Sequence, residues 1–165
     1  IVRHALQRAK EKGMVALLNP APAAKLLPGI LENCDYFMPN QSEAEFYTGI
    51  FPKDEESAKK CAAALAGKGV KNVVITMGAE GSAYVGERGY CRAECRKAAA
   101  VDTTAAGDTY VGGFAVGLSE GMSVREAMDF ASCASAITVT RRGAQQAIPT
   151  RAEVAEKYGL PGRTK

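Results

Sequence analysis

Apolar residues recur at helical spacing from the start of the chain, at Val2, Ala5, Leu6 and Ala9, and Gly13 marks where that helix should end. "MVALLNP" then reads as a buried strand stopped by Pro20, with Pro20, Pro22 and Pro28 stiffening the loop beyond it. "DYFMPN" predicts a second short strand ended by Pro39, followed by a helix over 42–48 that stops at Gly49. Ala58, Cys61, Ala62 and Leu65 share one face of a further helix running into Gly67 and Gly69. "NVVITMG" is β-branched and apolar without alternation, the pattern of a central strand buried on both faces of a parallel sheet. Two short pieces at 81–85 and 89–93 flank "GERG" as a hairpin. Beyond Asp108, the residues Val111, Phe114, Ala115 and Leu118 keep helical spacing as far as Gly121. Ser123 and Glu126 then form a capping box for a helix whose buried face runs Val124, Ala127, Met128, Ala131, Ala134, Ser135 and Thr138. The tail "YGLPGRTK" looks loosely held. Strands alternating with helices predict an α/β layered fold with a mostly parallel sheet.

Composition narrows the function. At 165 residues, 47% hydrophobic and 24% charged, the chain has the make-up of one globular domain with a real core. A net charge of +3 without a dense Lys/Arg run gives no basic stripe for nucleic acid. Apolar runs such as "MVALL" are too short for a membrane span and no signal-peptide pattern is present, so a cytoplasmic home is expected. The five cysteines are odd in number and scattered, which fits free thiols better than a disulfide framework. Cys91 and Cys95 lack the second ligand pair that a structural zinc site needs, and the only histidine is His4. The chain opens in helical register at Ile1, as if entered partway through a fold.

Three loops carry candidate chemistry. In "AVDTTAAGDTYVGGF", small residues strip the backbone of bulk just before a helix, leaving free amides and the positive end of the helix dipole as an anion site. Asp108 then either complements that dipole or accepts a proton from a hydroxyl attacking a phosphoryl group. In "NQSE", Asn40 and Glu43 have the spacing of a capping box, or sit near a water-coordinated Mg²⁺. In "TMGAEG", Gly78 and Gly81 either turn the chain into the hairpin or admit a nucleotide at the carboxyl end of the best strand. Neither a Walker-type loop nor a GxGxxG run occurs.

Taken together, "DTTAAGD", "PNQSEAE", "TMGAEG", "VTRRGAQQAIP" and "NPAPA" resemble, in order and spacing, the motifs of the ribokinase family of carbohydrate kinases. The resemblance implies a three-layer α/β/α fold and ATP-dependent phosphorylation of a sugar, D-ribose to ribose 5-phosphate. Fructokinase or nucleoside kinase activity, or nucleotide binding without catalysis, are the alternatives. It makes Asp108 the catalytic base, and Ala105, Ala106 and Gly107 the anion hole. The nucleotide would be held by Asn40, Thr76, Gly78, Gly81, Gly107 and Ser132, and Mg²⁺ by Asn40 and Glu43, partly through water. K⁺ would be held by Asp102, Thr104, Thr138, Arg141, Gly143 and Ala147, many through backbone carbonyls, with Ala147 standing where the family has a hydroxyl residue. The partners implied are ATP and a small sugar, with a homodimer in the intact enzyme. The family's Gly-Gly sugar signature and small β lid have no counterpart, so residues 1–165 are expected to be the C-terminal, nucleotide-binding and catalytic part of the domain, a fragment lacking the N-terminal half.

Overall fold

The structure is a computed structural model that describes residues 1–159. These fall into two compact units, the first formed by Ile1–Met77 with Ser82–Arg92, the second by Gly78–Gly81 with the chain from Ala93 on.

The first unit is built on a sheet. Helix α1 (Val2–Glu11) is followed by β1 (Leu17–Leu18), β2 (Tyr36–Phe37), α2 (Gln41–Thr48), α3 (Glu55–Ala66), β3 (Asn72–Thr76), β4 (Ser82–Gly86) and β5 (Gly89–Ala93), with strands in the spatial order β1-β2-β3-β4-β5. Leu17 pairs with Tyr36 and Leu18 with Phe37, and Phe37 in turn with Val73, all parallel. β3 and β4 run antiparallel from Asn72 opposite Gly86 to Thr76 opposite Ser82. The sheet is therefore mixed rather than mostly parallel. The link between β3 and β4 is a short turn, whereas a parallel neighbour would need a crossover of a dozen residues or more.

The core of this unit gathers Phe37, Ala44, Ala58, Cys61, Leu65, Val73 and Ile75, so the predicted face of α3 is the buried one. β3 is buried over its first four residues, as an apolar run without alternation requires. The strand expected across "MVALLNP" shrinks to two half-buried residues, with Met14 and Val15 exposed, because β1 lies at the edge of the sheet. Inside the hairpin, Tyr84 donates its hydroxyl to Asn72 Oδ1 at 2.6 Å, while Asn72 Nδ2 donates to the Asp35 carbonyl at 3.0 Å. A Cβ on Gly86 would sit 2.4 Å from that Asn72 oxygen, so glycine is what lets this buried network close.

The expectation of a fold without its N-terminal half is corrected here. α1 contributes buried Leu6 to a cluster with Ala16 and Ile30, and Ala16 exchanges hydrogen bonds with Asp35 and Tyr36 to seat β1 on β2. The opening segment is thus integral to the sheet and its cover.

The second unit is helical: α4 (Ala106–Ser119), α5 (Val124–Thr138) and α6 (Arg151–Tyr158). α4 turns Thr109, Tyr110, Gly113, Phe114 and Gly117 inward, whereas Val111, Ala115 and Leu118 of the predicted face stay half-buried. The inner face carries glycines because the helices are close: a Cβ on Gly113 would stand 3.0 Å from Ala131 Cα, and one on Gly117 2.8 Å from Ala127 Cα. α5 is buried on nearly every side, Phe130, Cys133 and Ile137 included, and Ser135 of the predicted face is only half-buried. α6 was not anticipated, although Thr150 and Glu153 form its capping box right after Pro149. Arg151 ties it to Glu120 through Nη2 at 2.9 Å and lies over the Phe130 ring. Of the tail expected to be loose, Tyr158 closes α6 and Gly159 caps it in the left-handed region; residues 160–165 lie outside those described. Among the described residues, no helix is long and apolar enough to cross a membrane.

Candidate active site

In the first unit, the site residues meet at the carboxyl ends of the parallel strands β2 and β3. An isolated parallel bridge joins Asn40 to Thr76, and the Thr76 amide donates to the Pro39 carbonyl at 3.0 Å. This edge is where open α/β sheets take their ligands. Asn40 also caps α2: its Oδ1 accepts the Glu43 amide at 2.9 Å, and Glu43 Oε2 accepts the Asn40 amide at 2.8 Å. The capping box read from spacing is therefore formed. It uses one carboxylate oxygen of the buried Glu43 and leaves Asn40 exposed. Such an oxygen-only pair with a single carboxylate suits Mg²⁺, which is commonly held by one or two carboxylates plus phosphates and retains water.

Gly78 and Gly81 frame a 3-10 turn in the second unit, both with positive φ. Their surroundings differ. A Cβ on Gly81 would lie 2.1 Å from the Ala93 carbonyl oxygen, whereas nothing lies within 4 Å of one on Gly78. Gly81 is thus required by packing, and the open side of the turn is at Gly78.

The stretch before α4 is built to hold backbone amides outward. α2, α3, α5 and α6 each carry a capping box, but α4 has no side-chain cap; its N-cap residue is Ala105, at φ 61°. Ala105 is the one non-glycine residue with positive φ among the described residues, a conformation that costs about 1–2 kcal/mol. Local bonds hold it there: Ala106 N–H donates to the Thr103 carbonyl at 3.2 Å, and Thr109 N–H to the Ala105 carbonyl at 2.9 Å. The Ala106 amide is therefore already engaged. Among the described residues, the amides of Ala105, Gly107 and Asp108 have no acceptor. The Asp108 side chain is exposed, so its carboxylate is open to a substrate.

Behind this turn, Asp102 joins two loops, accepting the Thr104 amide through Oδ1 and the Gly143 amide through Oδ2, each at 2.9 Å. These donors hold its carboxyl down at about 2, well below the usual aspartate value, the Gly143 amide being the largest cause. The Val101 amide donates to the Val139 carbonyl at 2.7 Å in the same seam. Arg141 pairs with Glu153 of α6. Thr138 is fully buried with its hydroxyl on Thr109 Oγ1 at 3.0 Å, and Ala147 is fully buried in a 3-10 turn. Ser132 spends its hydroxyl on the chain leaving β5, donating to the Glu94 carbonyl at 2.9 Å and accepting the Arg96 amide at 3.2 Å.

The model of the pfkB family carbohydrate kinases matches residues 1–151. The chain belongs to the pfkB carbohydrate kinases. Within this family it is 46% identical over 158 residues to the ribokinase of Haemophilus influenzae, covering 94% of this chain and 51% of that protein. It is 42% identical over 165 residues to a bifunctional ribokinase/ribose-5-phosphate isomerase A of Fructilactobacillus sanfranciscensis, covering 99% of this chain and 31% of the other. The structure of Arabidopsis thaliana ribokinase complexed with ribose and ATP matches with a TM-score of 0.87 at 29% identity, over 93% of this chain and 50% of that one. The pfkB match begins at residue 1, so the family likeness is not confined to a C-terminal portion, and that expectation is withdrawn. The chain spans about half the length of the Haemophilus relative.

Two features of this pfkB site escaped the sequence reading. The Asn40–Thr76 bridge depends on strand register, which no local pattern reports. The Glu153 partner of Arg141 was missed with α6, although the Thr150-to-Glu153 spacing signals a capping box.

Proposed function

We propose that this chain is an ATP-dependent sugar kinase whose acceptor is D-ribose, giving ribose 5-phosphate. The observation that carries the reading is the uncapped start of α4, with unpaired amides beside an exposed aspartate. Asp108 accepts the proton of the sugar hydroxyl as that oxygen attacks the γ-phosphorus of ATP. The bond to the departing ADP oxygen breaks, and the amides of Gly107 and Asp108 at the positive helix end stabilise the transferring phosphoryl group. As the family resemblance implies, Asn40, Thr76 and Gly78 would take part in holding the nucleotide, and Asn40 and Glu43 would hold Mg²⁺, partly through water. The loops joined by Asp102 and Gly143, with carbonyls around Thr138 and Arg141, are where K⁺ would lie. The likeness to ribokinases, one of them solved with ribose and ATP, supports ribose as the acceptor.

Calorimetry with ATP and Mg²⁺, followed by a phosphorylation assay over ribose, fructose and adenosine, tests this. ATP binding with turnover of ribose above the others is expected. Preference for fructose or adenosine overturns the substrate, and binding without turnover of any acceptor overturns the enzyme reading.

A further inference from the structure

The seam between α4 and α5 is made of glycine and alanine, Gly113 against Ala131 and Gly117 against Ala127. Such a surface brings backbones close but offers few ridges to lock one helix against the other. At the end of the seam nearest the anion turn, the contact changes character. Ser135 Oγ donates to the Ala106 carbonyl at 2.8 Å, and one turn on, Thr138 Oγ1 donates to Thr109 Oγ1 at 3.0 Å.

The Ser135 bond is unusual in its target. A serine inside a helix commonly turns back to the carbonyl four residues earlier on its own helix. Ser135 instead reaches across to the first residue of α4. Its acceptor, the Ala106 C=O, shares one peptide group with the Gly107 N–H. A peptide is planar and trans, so fixing the direction of its C=O fixes the N–H at the opposite end. A hydrogen bond to the carbonyl also polarises the amide and strengthens its donation. The Gly107 amide is among those without an acceptor in the first turn of α4 among the described residues, and the Ser135 hydroxyl adds a second hold on an Ala106 carbonyl that also enters the helical ladder.

We propose that Ser135 is a positioning residue for phosphoryl transfer: through the Ala106–Gly107 peptide it aims the Gly107 N–H at the transferring phosphoryl group. This rests on the kinase reading above and adds to it a residue of α5 that reaches the site through a single peptide group. Thr138, bonded to Thr109, holds the next turn in the same register.

The test compares Ser135→Ala with Ser135→Thr, which keeps the hydroxyl. Ser135→Ala should lower kcat by about 5- to 50-fold, the scale expected when a preorganised donor is misaimed. KM for ribose should stay within about twofold, since uniform binding is untouched. Ser135→Thr should restore most of kcat. Wild-type kcat in Ser135→Ala, or a loss that Ser135→Thr does not rescue, overturns the proposal. If Ser135→Ala does not fold, Ser135→Cys, a weaker donor of similar size, replaces it with the same readouts. If the wild-type chain turns over no sugar, the kinase reading fails while this one remains testable on the ¹⁵N-labelled protein. Inorganic phosphate should then shift the Gly107 amide in wild type and Ser135→Thr but not in Ser135→Ala. Equal shifts in all three, or none in wild type, overturn it.

Discussion

Asp102 accepts the amide of Gly143 at 2.9 Å across the seam between the two loops behind α4. With its second oxygen on the Thr104 amide, this carboxylate holds the anion turn and the segment after α5 to one another. Glu153 holds the same segment through Arg141, and its carboxyl too is held at about 2, chiefly by the Thr150 amide and then by Arg141.

The pH dependence follows from these two groups. A carboxyl depressed in the folded state contributes stability above its ordinary pKa and loses it as pH falls through the folded value. Asp102 starts from 3.8 and Glu153 from 4.5, so stability should decline from about pH 4.5 down to about 2. Thermal melts across that range check this. Asp102→Asn should melt lower at pH 7 and show a shallower acid decline; an unchanged acid slope would remove Asp102 from the account.

Asp108→Asn should leave ATP binding by calorimetry within about twofold and lower kcat by about 10² to 10⁴, the usual contribution of a general base. Near-normal turnover would leave Asp108 as no more than a complement to the helix dipole.

Asn40 serves as a cap and, in the proposed function, faces the nucleotide's metal. The two roles separate by substitution. Asn40→Ala should cost about 1 kcal/mol in denaturant unfolding, while Asn40→Ser, itself a good cap, should retain stability. Both should raise KM for MgATP if the amide group is used in binding. Full recovery of KM in Asn40→Ser would reduce Asn40 to its capping role.

The glycines of α4 should respond in opposite directions. Gly112 is exposed with nothing within 4 Å of an added Cβ, so Gly112→Ala should stabilise by about 0.5–1 kcal/mol. Gly117→Ala places its methyl 2.8 Å from Ala127 Cα and should destabilise, since overpacking by about 1–3 kcal/mol outweighs the helix-propensity gain. Chemical unfolding of the pair measures the contrast, and equal effects would show that the helices are not in tight contact.

Local chemistry was legible in the amino-acid order. The capping boxes at Asn40 and Ser123, the stop of α2 at Gly49, the buried face of α3 and the continuous burial of β3 all arise from interactions between residues a few positions apart. The motif set also placed the chain among the carbohydrate kinases. Folding in three dimensions decided the rest. Which face of α4 turns inward depends on α5, because glycines become the buried positions only when a second backbone arrives within contact distance. The bridge from Asn40 to Thr76, the grip of Asp102 on Gly143 and the reach of Ser135 to Ala106 join segments far apart in the chain. Hydrogen bonds of that kind are set by strand register and helix packing, and neither quantity is written in any short stretch of residues.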